Sequence, residues 1–192
     1  MKCCVLFASP RKEKSNTLAL VRPFIAEWKK AGHSVDFFSL YDLDIFSCRA
    51  CRSCQMDWKK PGCMIHDDMD AIFDSVLTSD LIILASPIYS WYCTAPMKAA
   101  LDRMVYAMNK FYGREKGPSL WQGRRVAIIT TCGYRCEKGT DLFEEGVRRY
   151  CKHSGLSYVG MLAQRHMGYD VPFMDGDKEQ KSRIFARQLI NE

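Results

Sequence analysis

The chain has little that would place it in a membrane or outside the cell. No stretch of its 192 residues approaches the ~18–20 consecutive apolar residues that cross a bilayer. The opening run Met1-Lys2-Cys3-Cys4-Val5-Leu6-Phe7-Ala8 is too short for a signal peptide, and charged Arg11-Lys12-Glu13-Lys14 follows at once. A cytoplasmic protein without membrane contact is expected. No block of one charge sign is present either. Against 22 Asp and Glu, 28 Lys and Arg leave a net charge of +6, with no basic run long enough to argue for nucleic acid. A small phosphate-bearing ligand would satisfy the same excess. No internal repeat, low-complexity segment or composition shift marks a second domain. Apolar residues at 47% and charged residues at 26% exclude disordered, collagen-like and coiled-coil classes. A single domain over residues 1–192 is the expectation, long enough to bury a core without disulfide staples.

Cysteine is what the chain has in excess, at ten residues. In the cytosol, clustered cysteines more often mean metal or redox chemistry than disulfides. The rest of the pattern alternates strand and helix. Lys2 to Ala8 reads as a buried strand, Ser34 to Leu40 as a second, and Asp80 to Ser86 as a third, covered on both faces. Arg125 to Thr131 and Ser157 to Leu162 complete five strands. A helix follows Asn16, with Leu18, Val21, Ile25 and Trp28 on one face, Gly32 as its stop and Pro23 as an expected kink. Met69, Ile72, Phe73, Val76 and Leu77 repeat at helical spacing behind Asp67 or Asp68 as cap. Thr94 is expected to cap a helix that starts with Pro96, and Asp141 to His153 and Lys178 to Asn191 are helical. Five strands alternating with five helices imply an α/β fold with a doubly wound parallel sheet and helices on both faces. Residues 41–67 carry no clear element, and a loop that long in a compact domain is usually functional.

Open α/β sheets bind ligands outside the carboxyl ends of their strands. That rule selects three loops. The first, Ser9 to Thr17, offers hydroxyls at Ser9, Ser15 and Thr17, the Asn16 amide, the Arg11 guanidinium and the N–H groups of a helix start. These suit a phosphate monoester. The loop has no glycine, so neither a Walker A grip nor a G-x-G-x-x-G dinucleotide grip is present. The second, Ser86-Pro87-Ile88-Tyr89-Ser90-Trp91-Tyr92, sets three aromatics at the sheet edge, where a planar ring can stack. The third, Thr130-Thr131-Cys132-Gly133-Tyr134, has small residues that let a flat ring approach the backbone. A polar capping loop and aromatics that merely pack their own loop are the plainer alternatives.

One loop for a phosphate and two for a flat ring describe flavin mononucleotide. Ser9-Pro10-Arg11-Lys12 with Ser15-Asn16-Thr17, the Pro87-Ile88-Tyr89 loop, and Ala95-Pro96-Met97-Lys98 before Leu101-Asp102-Arg103 resemble the NADPH-dependent FMN reductase family. The resemblance extends from Met1 to about Gly133. It implies a flavodoxin-like sheet of order 2-1-3-4-5. It also implies FMN phosphate contacts from Ser9, Arg11, Ser15, Asn16 and Thr17. Pro87, Ile88, Tyr89, Ser90 and Trp91 would border the isoalloxazine, with Cys132 and Gly133 at its other edge. A homodimer or homotetramer is implied, with segment 41–67 reaching across.

Cys48, Cys51 and Cys54 stand at Cys-x-x-Cys-x-x-Cys spacing, and Cys63 follows after eight intervening residues. Three cysteines in series plus a fourth resemble iron–sulfur ligation more than a zinc ribbon, which uses two separated pairs. The loop is similar to that of the iron–sulfur flavoprotein branch of the same family, which implies a [4Fe–4S] cluster on Cys48, Cys51, Cys54 and Cys63. The last gap is longer than is usual there, through the insertion Asp57-Trp58-Lys59-Lys60-Pro61. Thiols without metal remain the alternative. Cys3, Cys4, Cys93 and Cys151 read as packing residues. Cys132 and Cys136 flank the expected ring edge at a spacing that is not a recognised dithiol motif. The four histidines are expected in solvated or capping roles.

The expected activity is an FMN-dependent oxidoreductase that passes electrons from NAD(P)H to a quinone, flavin, iron or protein acceptor. No side-chain acid or base is required, so no catalytic residue is assigned. An iron–sulfur electron-transfer protein served by ferredoxin and a non-enzymatic redox or metal sensor are the competing readings. A flavodoxin-type carrier ranks lower, because such carriers are usually acidic.

Overall fold

A computed structural model describes residues 1–168 and 170–191. The first apolar run forms strand β1 (Lys2–Phe7), and helix α1 (Asn16–Lys30) leads to β2 (Ser34–Ser39). Helix α2 (Met69–Thr78), β3 (Leu81–Pro87), α3 (Ala95–Met108) and β4 (Arg125–Cys132) follow. The short α4 (Cys136–Gly139), then α5 (Asp141–Ser154), β5 (Ser157–Arg165) and α6 (Gly176–Asn191) complete the chain. The sheet is parallel throughout, in the order β2-β1-β3-β4-β5. This is the architecture the sequence implied.

The period-two alternation of strand side chains divides the core into two layers. Cys3, Val5, Phe7, Leu81, Ile83, Ala85, Ala127 and Ile129 face α1 and α6, against Leu20, Phe24, Trp28, Phe185 and Leu189. Their sequence neighbours Cys4, Leu6, Ile82, Leu84, Val126 and Ile128 face α2, α3 and α5, against Ile72, Met97, Met104, Phe143 and Val147. Cys3, Cys4, Cys93 and Cys151 are buried in these layers, as packing residues should be. The chain leaves β1 toward one face and β3 toward the other. The carboxyl ends of β1 and β3, which pair directly, therefore form the switch point where a ligand crevice opens.

Several details differ from expectation. Helix α1 continues through Pro23, whose ring is buried on the packed face, so tertiary contacts offset the lost backbone bond. Thr94 precedes α3 without capping it; its hydroxyl donates instead to the Ala8 carbonyl at 2.8 Å. Of the two expected caps of α2, Asp68 holds the N-cap position without a side-chain bond, and Asp67 accepts the Met69 N–H at 3.1 Å. Helix α4 was not foreseen, because four residues show no periodicity. Strand β5 runs three residues beyond Leu162. Gly160, at φ 128°, absorbs a register shift against β4 between Val126 and Ala127.

Close packing under the ring loop gives a direct test. A Cβ placed on Gly146 of α5 would lie 2.6 Å from Tyr92 Oη. Gly146→Ala is therefore expected to destabilise the protein by about 1–3 kcal/mol through overpacking, although alanine is the better helix former. Urea denaturation measures it; a stabilised variant would show that Tyr92 can move aside.

Candidate functional site

The site rests on a buried polar network that ties strand ends together. Ser86 Oγ accepts the Thr94 N–H at 3.1 Å, and Thr130 Oγ1 donates to the Ser86 carbonyl at 2.7 Å. Thr17 and Thr131 hydroxyls meet at 2.8 Å, fastening the first turn of α1 to the end of β4. Such fully paired groups fix geometry without leaving orphaned dipoles. Above them opens one cavity. The five polar residues predicted from the first loop, Ser9, Arg11, Ser15, Asn16 and Thr17, all line it, joined by Pro87, Tyr89, Thr131 and His166. None of these nine carries a carboxylate.

Local structure explains the first loop without glycine. A single 3-10 turn, Lys12–Lys14, folds it back, with Lys12 at φ 44°. The Lys12 N–H bonds the Ser9 carbonyl at 3.2 Å, and the Ser15 N–H bonds the Lys12 carbonyl at 3.0 Å. Ser15 caps α1, its Oγ accepting the Leu18 N–H at 3.3 Å. The N–H groups of Asn16 and Thr17 belong to the first turn and have no carbonyl within the helix. They and the helix dipole favour an anion.

The second loop closes as a two-residue turn. Tyr89 and Tyr92 exchange backbone bonds of 2.8 and 3.0 Å across Ser90 (φ 49°) and Trp91 (φ 62°). Both central residues are left-handed without being glycine, at a cost of about 1–2 kcal/mol each. The turn leaves Tyr89, which lines the cavity, and Trp91 half exposed. The Ile88 N–H anchors to the Thr131 carbonyl at 2.8 Å, while its side chain joins the core layer of α3 and α5. Trp91 stacks on Tyr134, with centroids 5.7 Å apart and planes 17° from parallel. Of this predicted loop, only Pro87 and Tyr89 line the cavity itself.

Gly133 lies against His166, whose Nε2 would be 3.4 Å from a Cβ there. The Cys132 side chain is turned inward, its Sγ 3.3 Å from the Tyr134 carbonyl. Neither residue lines the cavity. His166 was missed as a site residue because β5 was expected to end at Leu162. With β5 reaching Arg165, His166 stands at a strand carboxyl end, and its N–H bonds the Cys132 carbonyl at 2.9 Å. The strand-end rule would have found it with the right boundary. His66, by contrast, is solvated as expected and pairs with Asp70 at 3.1 Å on the surface.

The cysteine loop forms a second cavity. Cys48, Cys51, Cys54 and Cys63 all line it, with Arg52, Ile65, Arg103 and Tyr106 among its walls. Ala50 and Arg52 are left-handed, at φ 53° and 61°, which turns the loop sharply between the first three cysteines. Cys54 is buried, and burial pushes its thiol up; backbone and side-chain donors of Ser53 hold the exposed Cys51 thiol down. Among the described residues, no three Cys, His, Asp or Glu side chains converge as a single ion requires. A cubic cluster offers each thiolate a separate iron and does not need that convergence.

Buried polar groups of α3 and the chain beyond it hold this loop. Asp67 and Arg103 form a forked ion pair of 2.8 and 3.2 Å, with side chains 2% and 1% exposed. Arg103 also donates to the Phe46 and Ile65 carbonyls, both at 2.9 Å. Among the described residues its buried Nε–H meets no hydrogen-bond acceptor, and the side chain lines the cysteine cavity, where its charge faces Cys63. Lys110, fully buried, donates to the Cys54 carbonyl at 2.6 Å and the Pro61 carbonyl at 3.0 Å. Gln55 donates to the Tyr106 and Asn109 carbonyls at 2.6 and 3.0 Å. Burial alone would raise the Asp67 carboxyl, but Arg103 and the Phe46 and Met69 N–H groups hold it below the usual range. A carboxyl depressed on folding stabilises the protein above its unfolded value near 4, and that contribution is lost as pH falls through the folded value. Thermal melts should therefore drop on acidification below about pH 4, and Asp67→Asn should flatten that limb. An unchanged acid limb would remove Asp67 as its source.

Comparisons with known proteins agree with this geometry. A family model described as flavodoxin-like fold matches residues 1–188. An iron–sulfur flavoprotein of Methanocaldococcus jannaschii is 36% identical over 103 residues, 54% of this chain and 51% of that protein. An FMN-dependent NADH:quinone oxidoreductase of Pseudomonas fluorescens is 27% identical over 98% of this chain and 96% of its own length. The chain spans about half to three fifths of the iron–sulfur flavoproteins it matches. Among solved structures, an NAD(P)H:quinone oxidoreductase from Methanothermobacter marburgensis superposes with a TM-score of 0.67 at 18% identity, covering 98% of this chain and 94% of that one. No helix among the described residues is long and apolar enough to cross a membrane.

Proposed function

Because the chain belongs to the flavodoxin-like fold family, we propose that it is an FMN-dependent oxidoreductase that passes electrons from NAD(P)H to an acceptor such as a quinone. The carrying observation is the carboxylate-free cavity at the sheet edge, where one loop supplies five polar side chains and a helix N-terminus. FMN, when bound, supplies hydride acceptance and onward electron release. Every other task falls to the chain. The Arg11 guanidinium and the Asn16 amide bind phosphate oxygens, and the N–H groups of the first turn of α1 add fixed donors. Ser15 accepts from Leu18 and so keeps its own proton to donate. Pro87 and Tyr89, which line the cavity, would border the ring, and the neighbouring Trp91–Tyr134 stack would limit water at its edge. Thr131 and His166 close the far side. The full-length likeness to an FMN-dependent NADH:quinone oxidoreductase supports this reading. The test is purification with its bound chromophore: a flavin released at one per chain supports it, and a colourless protein that binds no added FMN overturns it.

A second reading concerns the cysteine cavity. Four thiols round one pocket, with an orphaned buried Arg103 Nε–H at its wall, fit an anionic [4Fe–4S] cluster on Cys48, Cys51, Cys54 and Cys63. The cluster, when bound, supplies one-electron exchange. Arg103 would donate to it or to a ligating sulfur, and Lys110 and Gln55 would hold the loop in register. The likeness to iron–sulfur flavoproteins supports it. In this reading ferredoxin would be the alternative electron donor. Iron and sulfide assays on protein purified without oxygen decide; full FMN occupancy without iron would remove the cluster. The working unit in either reading is a homodimer or homotetramer, which light scattering measures.

A further inference from the structure

The turn between β4 and α4 holds a sulfur pair that neither cavity uses. Cys132 ends β4, Cys136 opens α4, and their Sγ atoms stand 4.0 Å apart. Cys136 is partly exposed, while Cys132 is buried at 2% exposure. Cys132 has a fixed seat. Its S–H points at the Tyr134 carbonyl, 3.3 Å away, and the bare Cα of Gly139 makes room for it, since a Cβ there would come within 3.1 Å of the sulfur. Burial pushes the Cys132 thiol up to about 12, which suits it to a second, proton-donating step and not to a first attack. A disulfide requires sulfurs about 2.05 Å apart, so the two sulfurs must close a further ~2 Å, with the partly exposed Cys136 the side chain free to turn.

We propose that Cys132 and Cys136 form a dithiol site that reduces hydroperoxides, with Cys136 the attacking sulfur and Cys132 the resolving one. Cys136 sulfur attacks one peroxide oxygen. The S–O bond forms, the O–O bond breaks, and the leaving oxygen takes a proton to depart as alcohol or water. Cys132 sulfur then attacks Cys136 sulfur. The S–S bond forms, the S–O bond breaks, and the departing hydroxide takes the Cys132 proton as water. Two thiols thereby lose two electrons and two protons, and the peroxide gains them. Closure withdraws the S–H donor from the Tyr134 carbonyl, and Tyr134 stacks on Trp91, so the bond is felt in the aromatic turn between β3 and α3.

Trypsin makes the test direct, because cleavage after Arg125, Arg135 and Lys138 puts the two cysteines on separate peptides, 126–135 and 136–138. The intact protein is treated with one equivalent of hydrogen peroxide, alkylated, digested and weighed. The expected result is the two peptides joined, about 2 Da below their summed mass, and parted by dithiothreitol. Cys132→Ser should leave Cys136 as a sulfenic acid that dimedone labels. Cys136→Ser should leave Cys132 unlabelled. Peptides that stay separate, Cys136 carrying a higher oxide in the intact chain, or Cys136 bridged to a cysteine of residues 48–63 would overturn the proposal.

Discussion

Replacing Arg103 with leucine is expected to destabilise the protein by about 3–5 kcal/mol, the range for removing one partner of a buried ion pair. The cause is the residue left behind. Asp67 has a side chain only 2% exposed, and without the guanidinium fork its charge is buried with only the Phe46 and Met69 N–H groups to compensate. The Phe46 and Ile65 carbonyls lose their donor in the same step. Leucine fills part of the space, so the loss is electrostatic and not mainly a cavity effect. Arg103→Lys keeps the charge but not the fork, and should fall between. The double variant Arg103→Leu with Asp67→Leu should recover much of the loss, because no unpaired charge then remains. Urea denaturation with an unchanged slope measures all three. A single Arg103→Leu within about 1 kcal/mol of the parent would mean that water reaches Asp67 and the pair does not hold the cysteine loop.

The second large effect is on cofactor affinity. Arg11→Ala together with Asn16→Ala is expected to weaken FMN binding by about 3–6 kcal/mol, two hydrogen bonds to a charged group, or roughly a hundred- to ten-thousand-fold in Kd. Both side chains line the cavity without belonging to the core, so the fold should survive. Riboflavin, which lacks the phosphate, should bind the double variant and the parent almost equally. That contrast separates a lost phosphate grip from a damaged ring site. Unchanged FMN affinity would show that the first loop is a capping loop only.

Fold and site were legible in the sequence to different depths. The buried strands announced themselves as continuous apolar runs, because parallel strands covered on both faces have no polar side to show. That the first loop lines a cavity was legible because its chemistry is local: Ser9, Arg11, Ser15, Asn16 and Thr17 are nearly contiguous and sit at one strand end. His166 was not, since its place depends on a bulge at Gly160 that lengthens β5 and leaves no periodic trace. Arg103 and Lys110 were invisible for another reason. A cation on a helix, like Arg103, or just past its end, like Lys110, normally means a solvated face, and the return of residues 46–67 over this region buries these two. The Cys132–Cys136 contact needs the tight start of α4, which is too short for any pattern.

In the proposed function, bound FMN takes electrons from reduced nicotinamide on this chain. Anaerobic titration of the FMN-loaded protein with NADPH or NADH tests it most directly. Loss of the visible flavin band with one equivalent of reductant per flavin is the predicted result. A band that persists against both nucleotides, yet bleaches with dithionite, would contradict it.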